Sequence, residues 1–404
     1  MHTQMICVLD GERLRRPDGR LDRERILHYL ESTCGSVGFF RLRLQRSLLG
    51  LTPPAWVPDD SFDIGRHVLF SETKGNLESS QLWELSGHSD GVMSPKHPLW
   101  RLRLTELNNG DVALGLIFHH ASLDGLSASK MLGAMTQKSA DEPNRPPENP
   151  FASARPARRA ELPLLAMRWW LSEQPSFAAG WRAYWSKPIG RRIRRVAART
   201  LRPIRNLALR SERVRAQQLP PRHSDFRTMN SRTVTQRASD LGGTISDLLV
   251  ATVIRAYDGE EHNVSLRFPV SQRSATGEKA RNQVQDMELY GCSDDPLNEI
   301  LHSVRSQIAN RPSNAFANAD VPGRQIGYAT LIPWVSRARF FCGAELTEVV
   351  PFPASLGRDE LSAAAILYNG MLSATATMPA SRDVESVASR IGSLMTGGAD
   401  VAAH

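Results

Sequence analysis

Several common signatures are missing from this 404-residue chain. No run of about eighteen apolar residues occurs, so no transmembrane helix is expected. The opening residues, MHTQMICVLDGERLRR, lack the basic start and long apolar stretch of a secretory signal. No Gly-x-Ser-x-Gly occurs, so the strand-turn-helix elbow that presents a nucleophilic serine is not expected. Cysteine is scarce. Cys7, Cys34, Cys292 and Cys342 are scattered, with no Cys-x-x-Cys and no metal-ligand spacing. A disulfide framework and a structural zinc site are therefore not expected, and a cytoplasmic protein with reduced thiols is. There is also no short internal repeat.

What is present is ordinary globular material: 41% apolar and 23% charged residues. The length exceeds one ordinary core and implies two domains or subdomains. The net charge of +8 is uneven, for Arg191–Arg215 holds ten Arg and one Glu. Such a run attracts anions: phosphates, an acidic carrier protein, nucleic acid or anionic lipid headgroups. It reads equally as a solvated linker. Aromatic interleaving within it is poor and no nucleic-acid motif accompanies it, so nucleic acid ranks last.

The pattern is mixed α/β. Residues 5–9 form a short apolar strand candidate, and residues 22–32 a helix with Ile26, Leu27 and Leu30 on one side. Phe40, Leu42 and Leu44 alternate with Arg41 and Arg43 and predict a half-buried strand over 39–44. Residues 100–104 alternate likewise, Asn108-Asn109-Gly110 signals a turn, and residues 112–118 are almost wholly apolar, as in a buried central strand. These two runs predict a hairpin whose second strand ends at His119-His120, with a helix over 126–135 beyond. Residues 139–160 have the Pro-rich composition of a linker. Half of the eight tryptophans, Trp169, Trp170, Trp181 and Trp185, lie in residues 162–185. That stretch reads as helices packed on a domain, because it has no clean single apolar face. The sharper alternative is an interfacial segment. Further on, helices are predicted over 245–257, 297–308 and 383–395, and a strand over 264–270. Tyr368-Asn369-Gly370-Met371 reads as a hairpin turn. The division is 1–150, a connecting segment 151–225, and 226–404.

His119-His120-Ala121-Ser122-Leu123-Asp124-Gly125 is the run that carries chemistry. Neighbouring side chains on an extended backbone point to opposite sides, so only one histidine faces a given cavity. An imidazole of near-neutral pKa suits removal of a proton from a hydroxyl or amine. Asp124 suits a charge-assisted bond to an arginine, and Gly125 a sharp turn into the helix. A Ser122-His120 nucleophile and a metal site on the histidines plus Asp124 are weaker readings.

This run resembles the HHxxxDG motif of the thioester-dependent acyltransferase superfamily, which includes chloramphenicol acetyltransferase-like enzymes and peptide-synthetase condensation domains. Within it, the chain most resembles the bacterial wax ester synthase/diacylglycerol acyltransferase family. Pro98-Leu99-Trp100 resembles that family's Pro-Leu-Trp, residues 39–44 its early Arg-rich strand, Ala319-Asp320-Val321-Pro322-Gly323 its Ser-Asn-Val-Pro-Gly, and Leu367-Tyr368-Asn369-Gly370 its Ser-Tyr-Asn-Gly. Departures are Ser246-Asp247 for the family's Asn-Asp, Asp320 for its Asn, and Arg324 for its Pro. They place the substrates in question more than the chemistry.

The resemblance implies an α/β (α+β) fold of two chloramphenicol acetyltransferase-like subdomains forming a V, with a tunnel between them. It implies acyl transfer from acyl-CoA or a phosphopantetheinyl thioester to an acceptor hydroxyl or amine, with no bound cofactor, no metal and no acyl-enzyme. His120 would be the general base, with His119, Asp124 and Gly125 supporting it and Arg41 or Arg43 pairing with Asp124. Ser246, Asp247, Asp320 and Asn369 would lie near the tunnel. Arg191–Arg215 would recruit an acidic acyl carrier protein or an anionic membrane, giving a cytoplasmic protein peripheral at the membrane. A free-standing condensation enzyme of natural-product assembly and a non-catalytic partner-recruiting domain are the alternatives.

Overall fold

The protein is described by a computed structural model covering residues 2–48, 52–71, 82, 85, 93–119, 125–144, 148–172, 185, 189–190, 221–271, 284–310, 323–353 and 359–398. Strands β1 (His2–Leu9), β2 (Leu42–Gln45), β3 (Ala55–Pro58), β4 (Val68–Phe70), β5 (Trp100–Glu106) and β6 (Val112–His119) come first, with helices α1 (Arg23–Thr33), α2 (Gly125–Met135) and α3 (Leu162–Ser172). The second half supplies β7 (Arg222–Asn230), α4 (Ser231–Asp240), α5 (Ile245–Ala256), β8 (Asn263–Ser271), β9 (Val284–Cys292), α6 (Leu297–Ala309), β10 (Arg324–Pro333), β11 (Phe340–Phe341), β12 (Ala344–Phe352), β13 (Leu361–Tyr368), β14 (Met371–Pro379) and α7 (Val384–Thr396).

Two six-stranded sheets result, ordered β11-β12-β1-β6-β5-β4 and β7-β14-β13-β10-β8-β9, with a β2-β3 ribbon beside them. The first sheet takes two strands from the far half of the chain: β12 pairs antiparallel with β1, Gln4 opposite Phe352 and Cys7 opposite Val349. Nothing in the alternation of residues 344–352 says which sheet they join.

Each sheet buries one face under helices. On the first, Met5, Cys7, Leu114, Leu116 and Phe118 meet Ile26, Tyr29 and Leu30 of α1 and Met131, Leu132 and Met135 of α2. On the second, Leu266, Ala329, Ala363 and Ala376 meet α4 to α7. Helix α5 is the centre of that layer and buries Leu248 to Ile254 without a break. Each of its Leu, Val and Ile side chains contributes roughly 1.5–3 kcal/mol by leaving water. Its start is fixed by a reciprocal capping box: the Asp247 backbone N–H donates to Thr244 Oγ1, and the Thr244 N–H to Asp247 Oδ2.

The hairpin expected over 100–118 is present, with Trp100 opposite Phe118 and Glu106 opposite Val112. The strand expected over 39–44 is only half there. Gly38–Arg41 is a 3-10 turn, and the strand starts at Leu42. The turn swings Phe40 into the core, its ring edge-on to Trp100 at 5.0 Å, and aims its carbonyl at the Trp100 indole N–H, 2.8 Å away. A buried indole needs an acceptor, and that need outweighs the strand alternation. Helix α3 also departs from the expected packing. Leu162 is buried, but Leu164, Leu165, Met167, Trp169 and Leu171 are exposed. All four cysteines are free, and burial pushes the Cys7 thiol up to about 12 and the Cys342 thiol to about 11.

The Asn369-Gly370 turn has positive φ at both residues, 47° and 80°, as a two-residue hairpin turn requires. Gly370→Val is expected to cost about 1–2 kcal/mol, because a β-branched residue is strained there. A shift of the urea midpoint with unchanged slope would show it.

Candidate active site

The β5-β6 hairpin delivers the histidine run. Its tight end is held by Asn109, whose side chain donates to Asp111 Oδ2 (2.7 Å) and accepts the Asp111 N–H (3.1 Å), and by Gly110 at φ 89°. At the open end His119 is the last residue of β6. It faces His2 of β1, and its N–H donates to the Leu99 carbonyl at 3.0 Å. Alternation puts His119 on the face of Ile117, Gly115 and Ala113, away from α1 and α2. Gly125 opens α2. His120 and Asp124 lie outside the described residues, as does Asp320.

The His119 end of that five-residue span is held by the Leu99 carbonyl, and the helix beyond the span is fixed at its far end. The C-terminal turn of α2 is tied by Arg339, whose Nη2 donates to the Gly133 carbonyl at 2.7 Å and whose Nε donates to Thr136 Oγ1 at 3.0 Å. A cation at this end also suits the helix dipole. The Tyr29 hydroxyl donates to the Met135 carbonyl at 2.6 Å and joins α1 to α2. Before β5, the Pro-Leu-Trp segment carries the structural load. The Trp100 ring stacks on His67 at 4.3 Å, and Phe62 lies against both rings, 5.4 Å from His67 and 6.5 Å from Trp100. His67 Nδ1 lies 2.9 Å from the Trp100 carbonyl oxygen.

The arginines of the early strand have partners of their own. Arg41 Nε donates to the Gly35 carbonyl, and its guanidinium lies 4.6 Å over the Phe62 ring. Arg43 donates from Nη1 to Gln45 Oε1 (2.9 Å), and its Nε is 3.9 Å from Asp59 Oδ1. Asp59 is the residue that sequence reasoning missed. Its carboxylate is 1% exposed, accepts the Ser61 N–H and hydroxyl, and has His97 Nδ1 at 3.5 Å from its other oxygen. Since Arg43 also bridges to Pro98, this cluster sits one residue from the Leu99 carbonyl that holds His119. An Asp among the three of residues 59–63 gives no signal of this in sequence.

The C-terminal candidates take local roles. Asp247 spends its carboxylate in the α5 cap, with Ser246 beside it in the first turn. Asn369 is exposed at the hairpin tip, where its φ does the work. Arg324 pairs with Glu360, which also accepts from the Tyr257 hydroxyl.

The face that the second sheet turns to the first is unusually polar. One rung reads Ser224, Thr377, Ser362, Tyr328, Arg267 across β7, β14, β13, β10 and β8. Ser224, Ser362 and Thr377 are buried there, as are Ser373 and Thr375 on neighbouring rungs. Ser224 Oγ and Thr377 Oγ1 are 2.7 Å apart. Thr228 Oγ1 donates to Glu348 Oε1 of β12 at 2.6 Å, and Phe226 packs against the apolar cluster that includes Val350 and Phe352. A buried face of hydroxyls costs free energy unless the groups find partners, so its natural complement is a polar one.

Burial first, and then the charge of His97, hold the His67 imidazole below its ordinary pKa, against the Trp100 carbonyl bond. As pH falls through about 6.5, the unfolded chain takes up this proton while the folded chain does not, so the folded state loses stability toward acid. Replacing His67 with Phe keeps a ring in the stack and removes the titration. The melting-temperature gap between wild type and His67→Phe should narrow between about pH 7.5 and 5.5. A constant gap would show that His67 does not carry this dependence.

Comparison with known proteins adds three findings. Residues 1–250 match the profile of the wax ester synthase/diacylglycerol acyltransferase catalytic domain. A Mycobacterium tuberculosis protein named "Probable diacyglycerol O-acyltransferase tgs3" is 32% identical over 139 residues, which is 34% of this chain and 50% of that protein. The match thus spans about half the length of that relative. The fold superposes on a wax ester synthase/diacylglycerol acyltransferase from Marinobacter aquaeolei with TM-score 0.59 and 16% identity, covering 98% of this chain and 93% of that one. It superposes on the first condensation domain of the CDA synthetase with TM-score 0.58 and 14% identity, covering 100% and 93%. The α/β class expected from the sequence is thereby met in its chloramphenicol acetyltransferase-like form, and by its matching first 250 residues the chain belongs to the wax ester synthase/diacylglycerol acyltransferase family.

Proposed function

We propose that the protein is an O-acyltransferase that moves an acyl group from a thioester, acyl-CoA or an acylated phosphopantetheine, to an acceptor hydroxyl. The observation that carries this reading is the His-His-x-x-x-Asp-Gly run, set between β6 and α2 in a chain of this family. His120 removes the hydroxyl proton as the oxygen attacks the thioester carbonyl carbon. The tetrahedral oxyanion then collapses, the C–S bond breaks, and the departing sulfur takes the proton from the imidazolium. No acyl-enzyme and no bound cofactor is needed. Proton transfer of this kind contributes typically about two to four orders of magnitude, and positioning contributes the remainder. Asp124, paired with an arginine, and Gly125 hold the loop. His119, on the face turned from α1 and α2, is the other imidazole to test.

His120→Ala is expected to lower kcat by about 100-fold or more with the melting temperature kept. Asp124→Ala in the same assay should lower soluble yield instead. Wild-type turnover by His120→Ala would overturn the assignment, and loss of activity in His119→Ala alone would move the base to His119.

A membrane surface is the setting that α3 supports. No described helix is long and apolar enough to cross a membrane. Leu164, Leu165, Met167, Trp169 and Leu171 nevertheless face solvent, 44–60% exposed, with Arg155, Arg158, Arg159 and Arg168 close in sequence and Arg191–Arg215 following. Apolar side chains with tryptophan, flanked by arginine, suit an anionic bilayer surface. The protein should co-sediment with phosphatidylglycerol vesicles more than with phosphatidylcholine vesicles. Leu165→Glu with Trp169→Glu should reduce that by about tenfold, given the apolar area withdrawn. Equal sedimentation of variant and wild type would overturn it, and capture by an acidic carrier protein alone would assign the basic segment to donor recruitment.

A further inference from the structure

Two arginines converge on the polar face of the second sheet from opposite flanks. Arg267 reaches from β8 to Asp359, just before β13, with Nη2 2.9 Å from Oδ1, and its guanidinium lies 5.9 Å over the Tyr328 ring. The other oxygen of Asp359 accepts from the Ser362 hydroxyl at 3.3 Å. Arg222 comes from β7. It is 9% exposed and near enough to Asp359 and Tyr328 for both to act on its charge, yet no ion pair to it occurs among the described residues. Its Nε is buried without a hydrogen-bond acceptor, and Nη2 has only the Thr377 carbonyl at 3.4 Å. Glu288, the exposed residue opposite Arg267 on β9, accepts from Ser265. Arg267 thus neutralises Asp359, and the Arg222 charge is left over. A buried guanidinium lacking its counter-charge is costly to keep.

Its height in the molecule is informative. Thr228 meets Glu348, which lies on the rung through Val8 and Ala113. Phe226, two residues back, packs against the cluster that holds Val350 and Phe352, which lie on the rungs through Gly115 and Ile117. Stepping back along β7 two residues at a time, Ser224 and Arg222 reach the level of the His2–His119 rung. The unmatched cation therefore stands at the end of the molecule where the histidine run leaves β6.

We propose that Arg222, with Arg267 beside it, forms a subsite for an anionic oxygen group, phosphate or carboxylate, carried by a substrate. Guanidinium pairs such groups through two parallel N–H···O bonds, and the Ser224, Ser362 and Thr377 hydroxyls supply further polar partners. Two sources share this chemistry: the phosphate on the pantetheine arm of the donor, and an acidic group on the acceptor. Which one applies rests on the acyl-transfer reading. The anion binding itself does not.

The test is calorimetric binding of two probe pairs to the full chain: 4′-phosphopantetheine against pantetheine, and 12-hydroxydodecanoate against dodecanol. Wild type should prefer the anionic member of at least one pair by about tenfold or more. Preference in the first pair names the donor as source, and in the second the acceptor. Arg222→Met should abolish the preference and Arg222→Lys retain part of it. Arg222→Met spares the Arg267–Asp359 pair, so it strands no buried carboxylate. Asp359→Asn, by removing the competing negative charge, should tighten anion binding, whereas a purely structural cluster would weaken. No preference in wild type, or an unchanged preference in Arg222→Met, overturns the subsite. Failure to turn over any thioester would sink the acyl-transfer reading and leave the binding result standing.

Discussion

The ladder between β1 and β12 joins the two ends of the chain: Gln4 lies opposite Phe352, and the Thr347 hydroxyl reaches the Val8 carbonyl across 339 positions. Everything that faces the histidine run depends on it. Because β12 is captive in the first sheet, β13 and β14, which follow it, are laid against that sheet, and their Ser and Thr side chains are turned inward. The helix-covered core of the first sheet also takes in Ile332, Ile366 and Tyr368 from the second. The relation of the two sheets is set by this strand pairing, by that shared packing, and by the hydrogen bonds of Thr228 to Glu348 and of Tyr368 to the Leu346 carbonyl.

What the sequence disclosed follows from how local each signal is. The hairpin over 100–118 and the Asn369-Gly370 turn were legible because alternation and turn chemistry are written in a few adjacent residues. The helix at 22–32 was legible for the same reason: Asp22 caps it and Ile26 and Leu30 face inward. The start of β2 was misread because the Phe40 carbonyl serves Trp100, sixty positions away. Asp59, His97 and Arg222 were invisible for a related reason. Each draws its meaning from a partner in another strand, and single-residue patterns carry no such information. The five-residue span after His119 was recognised by resemblance, whereas the structure adds how its first residue is held by Leu99 and how the far end of α2 is fixed.

Helix α3 shows the opposite failure. Its composition was read as a packed helix, since Leu, Met and Trp usually go inside. The structure leaves that face bare, and the absence of a clean apolar stripe, which argued for packing, is equally what a helix lying on a soft interface can tolerate. The two readings separate only when burial is known.

The place of β12 has a consequence for synthesis on the ribosome. β12 follows β1 by some 340 residues in the chain. At roughly 5–20 residues per second, β1 would wait from about twenty seconds to about a minute for its second neighbour. Throughout that interval an apolar strand, Met5 to Leu9, would present an open edge, the kind of surface that pairs with other chains. Nascent chains of this protein should therefore need shielding by chaperones for most of their translation, and low temperature or slow induction should raise the recovered fraction.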